Sequence, residues 1–294
     1  MVLLNHRSIY SIAKKEFMDN IRNKWIIAMI IILLLLTILS SYLAGGQAGD
    51  ESFGGMEDTV VTLLSISTLL IPIIAIMLGY ATISGEAENG SLSIVLSYPI
   101  KRVEVLLGKL FGLASVLFFS IILGFGVGGL IIAITVGSSE GLSFLIFVIL
   151  TSLLGIVYLS LSICISAISK KRVTSIAGGI MIFFWAMIYG MIIFGILLAS
   201  GVSFEQFITP GFEYPDWLFS SVFFSPGDLY QVSVMRGFGL SQAFGFTMEL
   251  PEYMNLGILV FAQFIWFIIP LIIAYKFFNK RDIWLWKNIK KKKY

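Results

Sequence analysis

The stretch KKEFMDNIRNKWIIAMIIILLLLTILSSYL, residues 14–43, decides the fold. Its first third is charged and amphipathic. From Trp25 to Leu43 it carries no charge at all. A run of about 20 apolar residues matches a hydrocarbon core of about 30 Å. A secretory signal has an apolar region of only about 7–15 residues. This run is longer and follows Arg7, Lys14, Lys15, Arg22 and Lys24, so it reads as a retained membrane span.

Outward from that stretch, five more runs of the same kind follow. The six spans are expected at about 25–44, 60–83, 108–136, 142–168, 173–200 and 256–278. Of the 294 residues, 58% are hydrophobic and 13% are charged, with a mean hydropathy of +0.96. Soluble domains are about 45–50% apolar and about 25% charged. A membrane β-barrel would alternate polar and apolar residues along each strand, and these runs are continuous. The fold class is therefore all-α, a polytopic membrane helical bundle with an amphipathic helix before its first span.

Charge then orients the bundle. An even number of spans puts both ends on one side, which takes 1–24, 84–107, 169–172 and 279–294. That side carries 19 of the 20 Lys and Arg residues and 6 of the 17 acidic ones, a net +13 against −10 opposite. The positive-inside rule then predicts a multi-pass protein of the cell membrane with both termini cytoplasmic.

The chain divides into a cytoplasmic elbow helix within 1–24, a six-helix domain over 25–278 and a basic tail over 279–294. In residues 9–24, Ile9, Ile12, Ala13, Phe17 and Ile21 share a face, while Lys14, Lys15, Asp19 and Arg22 point elsewhere. Such a helix lies in the interface against lipid. The tail, with Lys287 and Lys290 to Lys293 beside Trp284 and Trp286, reads as a topology anchor rather than a nucleic-acid site. Opposite it, the excursion 201–255 is acidic, aromatic and broken by Pro210, Pro215, Pro226 and Pro251. It fits short helices dipping into the outer leaflet or capping the bundle, with a helix over 227–240 carrying Asp228 near its start.

Several chemistries are excluded. Cys164 is the lone cysteine and His6 the lone histidine, which removes disulfides, CxxC sites, Ser–His dyads and HExxH zinc sites. No Asp, Glu, Lys, Arg or His lies centrally in any span, which argues against a proton- or sodium-driven transporter. Gln263 is the most polar deep side chain, and Pro72 and Pro270 can each kink a helix. Gly124 and Gly128, four apart, and Gly178, Gly179, Gly190 and Gly195 permit close helix approach. No GxxxxGK[ST] phosphate loop is present, so the chain is not expected to be an enzyme.

The loop SGEAENGSLSIVLSYPIKRVEVLLGK, residues 84–109, is no plain connector. Glu86 and Glu88 open it, a short apolar stretch from Ser91 to Leu96 follows, and Pro99 stops that stretch. Lys101, Arg102 and Lys109 lead onward. An apolar segment on a polar face is expected to meet a partner, with Glu86 and Glu88 open to that face.

Glu86, Glu88, Gly90, Ser91, Leu92, Pro99, Arg102, Leu107, Gly108 and Lys109 together resemble the signature loop of type-two ABC export permeases; Tyr98 stands where a small or apolar residue is commoner. The likeness runs through the whole chain. KKEFMDNIRNKW (14–25) and SPGDLYQVSVMRG (225–237) resemble most the branch linked to maturation of multicopper enzymes such as nitrous-oxide reductase.

The resemblance implies an exporter permease with no motor of its own and no cofactor bound directly, using ATP and magnesium through a separate ATPase subunit. Glu86, Glu88, Asn89, Gly90, Ser91, Leu92, Pro99 and Arg102 would dock that subunit as a coupling helix. The elbow residues Lys14, Lys15, Phe17, Ile21 and Arg22 would lie beside it. Two permeases, identical or not, would pair with two ATPases. A membrane scaffold holding an extracytoplasmic partner through 201–255 is the alternative. For cargo, an apolar interior suits lipids, hydrophobic peptides or drugs, and the branch suggests a sulfur species or maturation intermediate. The scattered methionines make direct copper transport a poor fit.

Overall fold

The computed structural model describes residues 5–47, 56–135, 141–209, 214–238, 242–243, 246–247 and 250–281. The basic tail from 282 onward, Pro210 and Phe212 lie outside the described residues. Helix α1 (His6–Ile21) begins at the N-cap Asn5, whose side chain accepts from the Arg7 N–H. After Asn23, which caps the Trp25 N–H at 3.1 Å, α2 (Lys24–Gln47) rises as the first long apolar helix. Then come α3 (Met56–Gly79), the short α4 (Ser84–Glu88) and α5 (Ser91–Val95), and α6 (Arg102–Ile121). A π turn over Ile122–Gly126 carries α6 into α7 (Val127–Thr135) as one long helix. Next stand α8 (Gly141–Ile168) and α9 (Arg172–Ala199), then the small α10 (Phe204–Ile208), α11 (Asp216–Ser221) and α12 (Pro226–Phe238), and last α13 (Leu256–Lys280). A two-residue antiparallel pairing, Gln242 with Thr247 and Ala243 with Phe246, does not alter the all-α class.

Among the described residues, six helices are long and apolar enough to cross a membrane: Lys24–Leu43, Thr59–Glu88, Arg102–Ile131, Gly141–Ile168, Arg172–Ala199 and Leu256–Lys280. The third begins at Arg102 rather than near 108. Glu104 fixes that start, its carboxylate accepting from the backbone N–H of Lys101 (3.2 Å) and of Asn5 (2.9 Å). Basic residues that look like loop thus belong to the first turn.

Helix α8 is the axis, packed by α3, α6, α12 and α13. It is apolar all round, as a central helix must be, and Leu154, Val157, Tyr158, Leu159 and Ile163 are buried. Small residues set the close approaches. A Cβ on Gly128 would lie 2.6 Å from the Thr37 Cβ, and one on Gly124 would lie 2.5 Å from the Leu33 Cβ, so this four-residue face seats α2. Gly179 admits Ile76 in the same way, whereas Gly190 and Gly195 have open space beside them.

The excursion after α9 goes deeper than an outer-leaflet dip. Helix α11, a 3₁₀ turn over Val222–Phe224 and α12 form a hairpin that enters the bundle between α8, α9 and α13. Trp266 of α13 donates to the Phe223 carbonyl at 3.0 Å, and Tyr189 of α9 donates to the Ser221 carbonyl at 2.6 Å. Tyr158 lies about 25 Å along α8 from Gly141, taking 1.5 Å per residue, and its hydroxyl is 3.9 Å from a Cβ placed on Gly227. The tip of the hairpin therefore reaches the middle of the spans. On its return, α12 is held by Tyr230 to Thr151 (2.9 Å) and by Gln263, which donates to Ser233 (2.9 Å).

Candidate functional site

The site is built at the base of the bundle, the end holding α1, α4 and α5. Second-span helix α3 does not stop cleanly at Gly79. It turns through 80–83, where the backbone N–H groups of Ile83 and Ser84 both donate to the Ser166 hydroxyl at 3.0 Å. Those are donors a helix start leaves unpaired, and α8 supplies their acceptor. So fixed, α4 runs to Asn89, whose N–H bonds back to the Gly85 carbonyl. Gly90 then takes φ 78° with nothing within 4 Å of a Cβ placed on it. The left-handed backbone, not lack of space, selects glycine there. The chain reverses into α5, and the Ser91 hydroxyl bonds the Glu86 carbonyl at 3.4 Å.

On α5 the side chains divide. Leu92 is buried in the main core, while Ile94 and Tyr98 are each 65% exposed, and Asn89 and Pro99 are exposed as well. An apolar knob thus stands on a rigid two-helix corner.

The three charged residues expected at the docking face have partners inside the chain. One oxygen of Glu86 lies 2.6 Å from the Lys109 ammonium, which also lies 2.6 Å from Glu16 of α1. The Lys109 side chain is 3% exposed, so its charge is held by carboxylates from two other elements. The second oxygen of Glu86 is buried with no hydrogen-bond partner. Glu88 accepts the Arg172 backbone N–H at 2.8 Å and caps the start of α9, while the Arg172 guanidinium sits 5.2 Å from the centre of the Tyr80 ring. Arg102 donates to the carbonyls of Phe278, Asn279 and Arg281 at 2.6, 2.8 and 2.9 Å, closing the end of α13. These side chains hold the base together: Glu86 is turned inward onto Lys109, against the expectation that it lies open to the partner face, whereas Glu88 stays exposed while it caps α9.

Helix α1 lies on α6 because two glycines let it. A Cβ on Gly108 would lie 2.7 Å from the Ile12 Cβ, and one on Gly112 would lie 2.6 Å from the Ala13 carbonyl oxygen. Phe17 packs edge-on to Phe119 with ring centres 6.0 Å apart. Phe17 and Ile21 are half-buried, whereas Lys14, Lys15 and Arg22 are exposed. Glu16 escaped attention in the sequence. Its signal was an acidic residue on the apolar side of a basic helix, four residues after Ile12.

The profile of the ABC-2 family transporter proteins matches residues 10–283. The probable ABC transporter permease protein NosY of Stutzerimonas stutzeri is 30% identical over 284 residues, covering 93% of this chain and 98% of the relative. The protein of the same description in Pseudomonas aeruginosa is 29% identical over 283 residues, covering 94% and 99%. Permeases of this kind are translocase subunits rather than catalysts, and the ATPase is a separate chain. With six membrane-spanning helices and a match from α1 to beyond α13, this multi-pass membrane protein belongs to the ABC-2 family as the permease subunit of an ABC transporter.

Proposed function

We propose that the chain moves a cargo outward through the cell membrane, driven by ATP that a separate subunit hydrolyses with magnesium. The base faces the cytoplasm in this reading, in keeping with its net positive charge. The α4–α5 corner seats in a cleft of the ATPase, with Ile94 and Tyr98 as its apolar contacts and Asn89, Gly90 and Pro99 around them. The single observation that carries the reading is an exposed apolar knob on a corner locked to the rest of the base. Leu92 anchors it from within, and the Glu86–Lys109–Glu16 group ties it to α6 and α1. Closure of the nucleotide-bound ATPases would push this corner, and the ion group would pass the movement to the third span and the elbow together. That is a population shift between inward- and outward-open states.

Two permeases per transporter fit the surface of α9, where Met181, Trp185 and Met191 are exposed and Gly190 and Gly195 are open. A link to the maturation of a multicopper enzyme rests on the likeness to the NosY permeases. The scaffold alternative needs the 201–255 segment turned outward, and its 214–238 part is instead folded into the bundle.

The test is gentle solubilisation of the full chain and identification of the chains that remain bound. A stoichiometric nucleotide-binding subunit is the expected result. A folded permease with none bound would remove the transport reading.

A further inference from the structure

Among the described residues, the only acidic side chain at the depth of the span centres does not belong to a span. Asp228 arrives there at the tip of the hairpin, in the first turn of α12, with its N–H on the Ser225 hydroxyl at 3.3 Å. Ser225, Pro226 and Gly227 are buried, yet Asp228 is only half-buried. A carboxylate at mid-membrane is costly and is kept where it meets something.

The Tyr158 side chain supplies a second, independent observation. Tyr158 is 1% exposed, its hydroxyl faces the Gly227 backbone at 3.9 Å from a Cβ placed there, and the Asp228 carboxylate acts on it electrostatically. Among the described residues that hydroxyl makes no hydrogen bond. Buried phenols nearly always have a partner. Several other polar groups nearby are satisfied, although the Ser67 hydroxyl of α3 is buried with no hydrogen-bond partner among the described residues. The Thr68 hydroxyl donates to the Leu64 carbonyl and accepts from Gln231, Tyr189 is on the Ser221 carbonyl, and Tyr230 is on Thr151. Capping of α12 accounts for the bond from the Asp228 N–H to Ser225 but not for an unpaired tyrosine hydroxyl beside the same turn.

We propose that the Ser225–Asp228 turn, with the Asp228 carboxylate and the Tyr158 hydroxyl, binds a cationic amine group on the transported molecule. A protonated amine offers several N–H donors and no acceptor. One bonds the carboxylate and another the phenol oxygen, and its charge balances Asp228 in a region of low dielectric. An anion would be repelled. A hydrocarbon tail would leave both groups unsatisfied. A hard metal ion takes six or more oxygens, and this turn presents few. The cargo is accordingly an apolar body bearing an amine, which narrows the lipid, peptide and drug classes that the apolar interior admits. The assignment of cargo rests on the transport reading; the binding itself does not.

The experiment titrates phenethylamine, 2-phenylethanol and phenylacetate against the full chain in lipid nanodiscs without any ATPase, subtracting empty nanodiscs. The amine should bind saturably and at least about tenfold more tightly than the alcohol, as a charge-assisted hydrogen bond implies. D228N should abolish that preference. Y158F, which keeps the ring and its packing, should weaken amine binding several-fold, and Y189F should leave it unchanged. Equal binding of amine and alcohol, or an undiminished preference in D228N or in Y158F, overturns the site. Should D228N fail to fold, Y158F against Y189F decides alone. Because no ATPase is present, failure here is read independently of whether a motor subunit co-purifies.

Discussion

The base and the mid-membrane hairpin solve the same problem in opposite ways. Both bring polar groups from distant parts of the chain into an apolar bundle. At the base the groups are full charges, and each is answered: Lys109 by two carboxylates, Glu88 by a helix N-terminus, Arg102 by three carbonyls. At the hairpin tip they are mostly neutral hydroxyls and amides, joined in pairs, with Asp228 left half-open, while Arg236 at the far end of α12 is held by the Leu250, Pro251 and Met254 carbonyls. Paired charges at an interface make a rigid unit that passes on a push. A neutral network with polar groups left unpaired makes a place that a ligand completes.

The largest test of that contrast is Lys109→Met. It strands Glu16 and Glu86 side by side in a largely buried site, and removal of one partner of a buried pair costs about 3–5 kcal/mol. Thermal unfolding of the purified chain in detergent should show a clear drop, and reversing Glu86 and Glu88 to lysine should likewise destabilise, since Glu86→Lys faces Lys109. An unchanged melting point would mean the ion group is ornamental. Next in size is Gly128→Leu, which drives a side chain into Thr37 and should cost about 1–3 kcal/mol through overpacking. The same substitution at Gly190, with open space around it, should leave the isolated chain unaffected. If both behave alike, α2 is not seated as described.

Smaller still, Tyr230→Phe removes one buried hydrogen bond and should cost about 1 kcal/mol, without affecting binding of an ATPase. Loss of ATPase binding in this variant would erase the distinction between the two regions. The smallest effect on stability belongs to Ile94→Asp, an exposed site where changes stay within about 0.5 kcal/mol.

Much of this was legible in the sequence. Continuous apolar runs fix the six helices because a membrane leaves few other backbone solutions, and the elbow face of Ile12, Phe17 and Ile21 follows from helical spacing. The 84–109 loop was found by its residues, and Gly90 does take the backbone that only glycine holds easily. Partners were the part that could not be read. Glu86 meets Lys109 and Glu16 across three elements, and nothing in local spacing says that α1 will lie on α6. Depth was hidden as well. A hydropathy reading places Asp228 outside the membrane because serines, Pro226 and Asp228 itself interrupt the apolar run, whereas tertiary packing, through Tyr189, Trp266 and Gln263, draws the segment inward.

The most direct test of the account is a matched pair of measurements on the chain carrying both Ile94→Asp and Tyr98→Ala: its melting point and the amount of ATPase subunit that co-purifies with it. The account predicts an unchanged melting point with the subunit lost, because the exposed knob meets the motor while the engaged charges hold the base. Full retention of the ATPase by that variant would contradict it.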